Sequence, residues 1–148
     1  MDMKRYSSLP LPPYAFIPGK NPHPLKEGGH MQISGEPESY QLTEENYTKH
    51  EHYLYSIDLI NNHYFWEAHV YLEAIWNANN REGDIAELMK ALIKYCAGEI
   101  KNLMNQEEPA QKHFERAKEI LKTISKEKLV GINIQNFDGE SFKRIELL

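Results

Sequence analysis

The chain has 148 residues, a formal net charge of −5 and a single cysteine, Cys96. A chain of this length forms one domain with its own core, and a lone cysteine excludes an internal disulfide. The negative charge disfavours nucleic acid and anionic lipid as general partners, and no run of about 18 apolar residues is present to cross a membrane. No apolar stretch of signal-peptide length follows the basic residues at the start, so we expect a cytoplasmic protein.

Residues 1–42 form a segment rich in proline and glycine. It contains seven of the eight prolines and half of the glycines, and each proline removes a backbone donor and disfavours helix in the residue before it. Leu11, Tyr14 and Phe16 are too apolar for a solvated linker. We therefore predict an extended arm, with residues 9–24 packed across the rest of the chain.

From Thr43 onward a helical period replaces the proline-rich pattern. We predict a body spanning residues 43–128, with Leu92 and Cys96 in its core. Residues 129–148 are expected to form a C-terminal extension with a short extended piece and one helical turn. The four helices of the body are predicted at about 44–61 behind an N-cap at Thr43, 64–79, 85–105 behind an N-cap at Asp84, and 109–124 with Pro109 in the first turn.

The predicted fold is all-α, a compact four-helix bundle made of two helical hairpins with the proline-rich arm extended across it. The segments NNHYFWEAHVYLEAI and EEPAQKHFERAKEIL both look like the second helix of a tetratricopeptide unit, so the hairpins are tetratricopeptide-like. A solenoid needs about three stacked repeats, and this chain has room for two. A closed bundle is therefore the better interpretation.

The stretch YFWEAHVYLEAIW, residues 64–76, places two polar residues beside the apolar stripe of the second helix. His69 and Glu73 are four positions apart and lie about one turn from each other, whereas Glu67 projects to a different side. Such a pair either pins helices together, holds a metal ion, or lets the carboxylate orient a general base. We predict that both side chains are largely buried and that a polar residue of the arm approaches them. The segment is not the H-E-x-x-H zinc-protease motif, because Val70 stands where that motif has its catalytic glutamate.

Four other residues are candidates for the same site. His23 in NPHP and His30 in GGH belong to turn sequences that fix the direction of a side chain. The arm either brings these histidines to the helical pair or leaves them in solvent. Trp76 lies beside the pair on the second helix. Lys94 belongs to a row of lysines on the third helix, which is either an anion contact or an ordinary solvated face.

These residues resemble the family of domain of unknown function 309. Its W-E-A-H-x-x-x-E-x-x-W helix is present at residues 66–76, its K-x-L-I-K-x-x-A helix at residues 90–97, and its P-G-x-x-P-H-P arm with a following G-H within residues 14–30. The resemblance covers most of residues 14–124 and implies a compact helical bundle without an assigned activity. It also implies a shared site for arm and helix. The family usually has glutamate where this chain has Val70. If that glutamate is catalytic in the family, this chain lacks a catalytic residue.

Two functions of different classes follow. The first is a polar His/Glu pocket under the arm that binds a small ligand or a divalent metal ion, with hydrolysis as one possible chemistry. The second is a tetratricopeptide-like protein-interaction module in which the His/Glu pair is structural. The pattern names no substrate, reaction or partner. In the first function the candidate catalytic residues are His69 and Glu73, the candidate metal ligands are His69, Glu73 and His23, and the candidate ligand contacts are His23, His30, Trp76 and Lys94.

Overall fold

Among the residues that the structure describes, the regular elements are four helices and one short hairpin. The structure, a computed structural model, describes residues 4–32, 35–135, 137 and 144–148. The predicted all-α four-helix bundle is confirmed, and no strand occurs among the described residues between positions 43 and 124. The elements are α1 (Glu51–Asn61), α2 (Phe65–Ala78), α3 (Gly83–Leu103), α4 (Glu107–Lys122), β1 (Lys128–Leu129) and β2 (Ile132–Asn133), and the two strands pair antiparallel.

Each helix packs mainly against the helix that precedes or follows it in the chain. The central helix is α3, which packs against both α2 and α4. Its inward face is regularly spaced, and Leu92 and Cys96 on it are fully buried, as predicted. Gly98 lies where α3 meets α4, because a Cβ atom at this position would overlap the ring of Phe114. A glycine therefore allows the two helices to approach closely.

Helix α1 begins later than the sequence pattern indicated. The Thr43 hydroxyl accepts a hydrogen bond from the backbone N of Asn46 at 3.1 Å, and the Asn46 side chain accepts one from the backbone N of Thr43 at 2.8 Å. This reciprocal pair closes a turn. The helix N-cap is His50, whose Nδ1 accepts from the backbone N of Tyr53 at 3.1 Å. The predicted start at Thr43 is therefore wrong by about two helical turns.

The C-terminal segment packs against α1. The Tyr53 hydroxyl donates a hydrogen bond to the Val130 carbonyl at 2.6 Å, and the Asn61 side chain bonds both the carbonyl and the backbone N of Ile145 at 2.9 and 2.8 Å. The apolar residues of this segment join the same core as the helices. Residues 136 and 138–143, where the predicted helical turn would fall, lie outside the described residues.

The arm lies along α1 and α2 and is held there by side chains of both helices. The Tyr55 hydroxyl donates to the Pro10 carbonyl at 2.6 Å, and the Tyr64 hydroxyl donates to the Pro12 carbonyl at 3.1 Å. Near the start of the arm, the buried Asp58 carboxylate accepts from two backbone N–H groups at 2.8 Å. Because prolines leave their carbonyls without a regular partner, helical tyrosines are well suited to bind such a segment.

Candidate functional site

Glu67 is the buried carboxylate at which the arm meets α2. It is only 1% exposed. Its Oε2 atom accepts a hydrogen bond from the backbone N of Phe16 at 2.9 Å and lies 2.6 Å from Nε2 of His30. The His30 side chain is itself only 5% exposed. A carboxylate removed from water requires donors of this kind, because burial without them is costly.

The second oxygen of the same carboxylate has a different environment. Oε1 of Glu67 is buried and has no hydrogen-bond partner among the described residues. Nearly all buried polar atoms in folded proteins have a partner, so an exception calls for an explanation. One oxygen of Glu67 thus holds the arm, and the other still lacks a donor.

The turn that carries His30 is fixed by the arm's own contacts. The Tyr14 hydroxyl accepts a hydrogen bond from the backbone N of His30 at 3.2 Å and donates one to the Pro22 carbonyl at 2.7 Å. Gly29 directly precedes His30, and a Cβ atom at Gly29 would overlap the carbonyl oxygen of His23. This G-H pair therefore has a physical role, since the glycine permits the tight turn that directs His30 toward α2.

His23 packs against a different residue of α2. Its ring makes edge-to-face contacts with Trp66 and Phe16, with centroid distances of 5.2 and 5.1 Å. The Nδ1 atom of His23 accepts a hydrogen bond from the backbone N of Leu25 at 3.2 Å. The aromatic side chains of the arm thereby cover the beginning of α2, one turn before the predicted His69 pair.

Residues 53–113 match the family model described as Domain of unknown function (DUF309). This match confirms the family that the motifs indicated. The W-E-A-H and K-x-L-I-K motifs fall within the matched residues, whereas the arm motif precedes them. No curated protein and no solved structure matches the chain.

In this structure the predicted catalytic pair lies near the surface. His69 Nε2 is 3.9 Å from Glu73 Oε2, and the two side chains are 29% and 55% exposed. The prediction that Glu73 is buried is wrong, because the arm crosses α2 at Trp66 and Glu67 and leaves the next turn open to solvent. The Nδ1 atom of His69 donates to the Trp66 carbonyl at 2.6 Å, so the ring is oriented by its own helix.

Predicted site residues line two of the cavities between the arm and α2 and are divided between them. The first, of about 390 Å³, is lined by His23, His69 and Glu73 together with Trp66. The second, of about 360 Å³, is lined by residues of three segments. His30 thus lies in a different cavity from the other two candidate histidines. The second cavity is bounded by the arm segment 9–13, by Tyr55 of α1, by Glu67 and Tyr71 of α2, and by His30 and Met31.

Trp76 and Lys94 do not line either cavity. Trp76 lies near the end of α2, where the Arg81 guanidinium is 4.9 Å from its ring. Lys94 lies on α3, and its charge helps to lower the pKa of His113 on α4, after the larger effect of burial. Their proposed ligand contacts would require a site other than the two described here.

The described residues contain no group of three or more His, Cys, Asp or Glu side chains that could hold a metal ion. The predicted metal set of His69, Glu73 and His23 is therefore not supported. None of the described helices is long and apolar enough to cross a membrane.

Two tyrosine hydroxyls of the second cavity remain protonated near neutral pH. Burial raises the pKa of Tyr55 to about 12, with neighbouring Tyr71 and Glu67 acting in the same direction and Arg5 opposing them. Burial also raises the pKa of Tyr71. Glu67 therefore faces neutral phenols in this cavity, and the tyrosines contribute no negative charge of their own.

Sequence reasoning did not select Glu67 as a site residue, although it placed the residue correctly on another side of α2 from His69. The helical pattern gave no signal for its burial, because Glu67 lies about 100° around the helix from Ala68, outside the apolar stripe. A carboxylate on a covered face must be paired with a donor. The missing information was the path of the arm, which brings His30 to it.

Proposed function

We propose that this chain binds a small organic molecule in the cavity lined by Glu67, between the N-terminal arm and helices α1 and α2. The observation that carries the proposal is the Oε1 atom of Glu67, which is buried and has no donor among the residues that the structure describes. A buried acceptor left unpaired costs about 1–3 kcal/mol of stability. A ligand that supplies the missing N–H or O–H group would recover that free energy as affinity.

The dimensions and lining of the cavity support this proposal. Its volume of about 360 Å³ falls within the range of about 300–1,000 Å³ typical of small-molecule sites. Most of its wall is apolar, formed by prolines, leucines, a methionine and tyrosine rings. A few polar atoms within an apolar wall are the usual composition of a site that orients its ligand. The proposal concerns binding, because the candidate catalytic pair His69–Glu73 lies in the other cavity.

A fragment screen followed by NMR tests the proposal. Labelled methionine methyl groups provide two reporters, Met31 in the cavity wall and Met89 in the core. We expect a set of fragments containing amines, acids and neutral molecules to include some that shift the Met31 signal and leave Met89 unchanged. Binding of these fragments should weaken in Glu67→Gln and persist in Glu115→Gln, a charge-matched control at an exposed position of α4.

The protein-interaction function leads to a different result. If Glu67 serves only to hold the arm, no fragment will shift Met31 selectively, and Glu67→Gln will change stability without any effect on binding. That result, obtained with a folded protein at millimolar fragment concentrations, would refute the proposal.

A further inference from the structure

The polar atoms of the Glu67 cavity are mainly acceptors. The arm segment 9–13 that forms one wall contains three prolines, which have carbonyl oxygens and no N–H group. Glu67 also lines the cavity, and its Oε1 atom has no donor among the described residues. The Tyr55 hydroxyl already donates its hydrogen bond to the Pro10 carbonyl, so toward the cavity it can only accept.

Several donors of the cavity wall are already used within the protein. The backbone N of Leu9 donates to the Ser7 hydroxyl at 3.0 Å, and that of Met31 donates to the Pro24 carbonyl at 2.7 Å. Nε2 of His30 is engaged with the other oxygen of Glu67. The Tyr71 hydroxyl can either donate or accept. A ligand rich in acceptors would therefore find few partners in this cavity, whereas a ligand rich in donors would find several.

The aromatic rings add a preference for positive charge. Tyr55 and Tyr71 lie edge to face with centroids 5.1 Å apart, and both line the cavity. A cation over a tyrosine ring is attracted by the negative charge density of its face. The nearest arginine does not remove this preference, because the Nε atom of Arg5 is paired with Asp58 at 2.9 Å.

We propose that the ligand of this cavity is a protonated organic amine or amidine, which donates an N–H group to Oε1 of Glu67 and places its apolar part among Leu9, Leu11 and Met31. This inference rests on the proposed function and specifies the ligand class. An ammonium with at least one N–H is required, because a quaternary ammonium has no proton to donate.

Three molecules that share a benzyl group test the ligand class by titration of the Met31 methyl signal. They are benzylamine, benzyl alcohol and benzyltrimethylammonium. Benzylamine is expected to bind about tenfold or more tightly than either of the other two, since a hydrogen bond to a charged group provides this much discrimination. In Glu67→Gln the amide oxygen retains the bonds to the arm, and the amide NH₂ replaces the free acceptor with a donor. Benzylamine should therefore lose its advantage over benzyl alcohol, while Glu115→Gln should retain it.

A second variant, Tyr71→Leu, tests the aromatic contribution without altering the carboxylate. It should weaken benzylamine more than benzyl alcohol, and it serves as the test if Glu67→Gln does not fold. The inference is overturned if benzyl alcohol binds as well as benzylamine, if benzylamine affinity is the same in Glu67→Gln, or if benzylamine does not bind. Neutral or acidic fragments that bind at Met31 without any amine would overturn the ligand class and leave the proposed function standing.

Discussion

The Nε2 atom of His30 lies 2.6 Å from the Oε2 atom of Glu67, and this contact joins residues 37 positions apart in the chain. His30 belongs to a turn of the arm and Glu67 to the first turn of α2. Both side chains are nearly inaccessible to water. The contact therefore connects two segments that local sequence preferences would not bring together, and both residues line the same cavity.

Replacing His30 by alanine should destabilise the fold through Glu67. The change removes one of two donors to a buried carboxylate oxygen, and we expect a loss of about 1–3 kcal/mol in the free energy of unfolding. Urea denaturation of the single variants and of the double variant with Glu67→Ala measures this coupling. We expect His30→Ala to cost much less in the Glu67→Ala background. Equal costs in both backgrounds would show that the two residues act independently.

Gly29→Ala should displace the same turn. A Cβ atom at Gly29 would overlap the carbonyl oxygens of His23 and Pro24, so the backbone must move and His30 should leave Glu67. Hydrogen exchange of the backbone N of Phe16, which donates to Glu67, should become faster. Gly19→Ala is the matched control in the arm, because Gly19 has a positive φ of 84° and nothing within 4 Å of the added atom. The control should cost about 1 kcal/mol of backbone strain and leave Phe16 protected; equal exchange in the two variants would contradict the steric explanation.

The helices could be predicted from the sequence because their determinants are local. The apolar period of α3 alone places Leu92 and Cys96 in the core, and the structure agrees. The start of α1 was not predictable in the same way. Thr43 is a good helix-capping residue, but its hydroxyl closes a turn with Asn46, and His50 caps the helix. A capping preference identifies residues able to begin a helix, and tertiary contacts select among them.

The candidate site was predicted only in part, for a different physical reason. Helical spacing correctly separates Glu67 from His69 and Glu73, because side-chain direction along a helix is fixed by its geometry. The burial of each side depends on where the arm crosses α2, and no local rule determines that. The arm covers Trp66 and Glu67, so Glu67 is buried and Glu73 remains exposed.

Gly98→Ala should loosen the packing of α4 on α3. The added methyl group would overlap the Phe114 ring, and overpacking of this kind costs about 1–3 kcal/mol. Thermal unfolding of Gly98→Ala should show a lower midpoint than that of the parent protein. The double variant with Phe114→Leu provides the control, since a smaller side chain at 114 makes room for the methyl group. Gly98→Ala should therefore lower the midpoint less in the Phe114→Leu background than in the parent protein. Equal decreases in the two backgrounds would contradict a direct clash.

The fold should lose stability as the pH falls below about 7, and His50 should contribute to this loss. Burial lowers the pKa of His50 from its ordinary value of 6.5, and the charge of nearby His52 acts in the same direction, against a hydrogen bond to the Tyr40 carbonyl. In the folded chain Nδ1 accepts from Tyr53 while Nε2 donates to Tyr40, an arrangement that requires the neutral ring.

The sign of the effect follows from proton binding. Between the lowered folded pKa and 6.5, the unfolded chain binds a proton that the folded chain does not, so stability falls with falling pH across this window and levels off below it. His50→Asn should flatten the dependence, because asparagine caps a helix without titrating near neutral pH. Urea unfolding of both proteins at several pH values from 7.5 to about 5 measures this. Burial also lowers the pKa of His52 and His113, so the variant should retain part of the slope. An unchanged slope in His50→Asn would show that the buried cap does not contribute to the pH dependence.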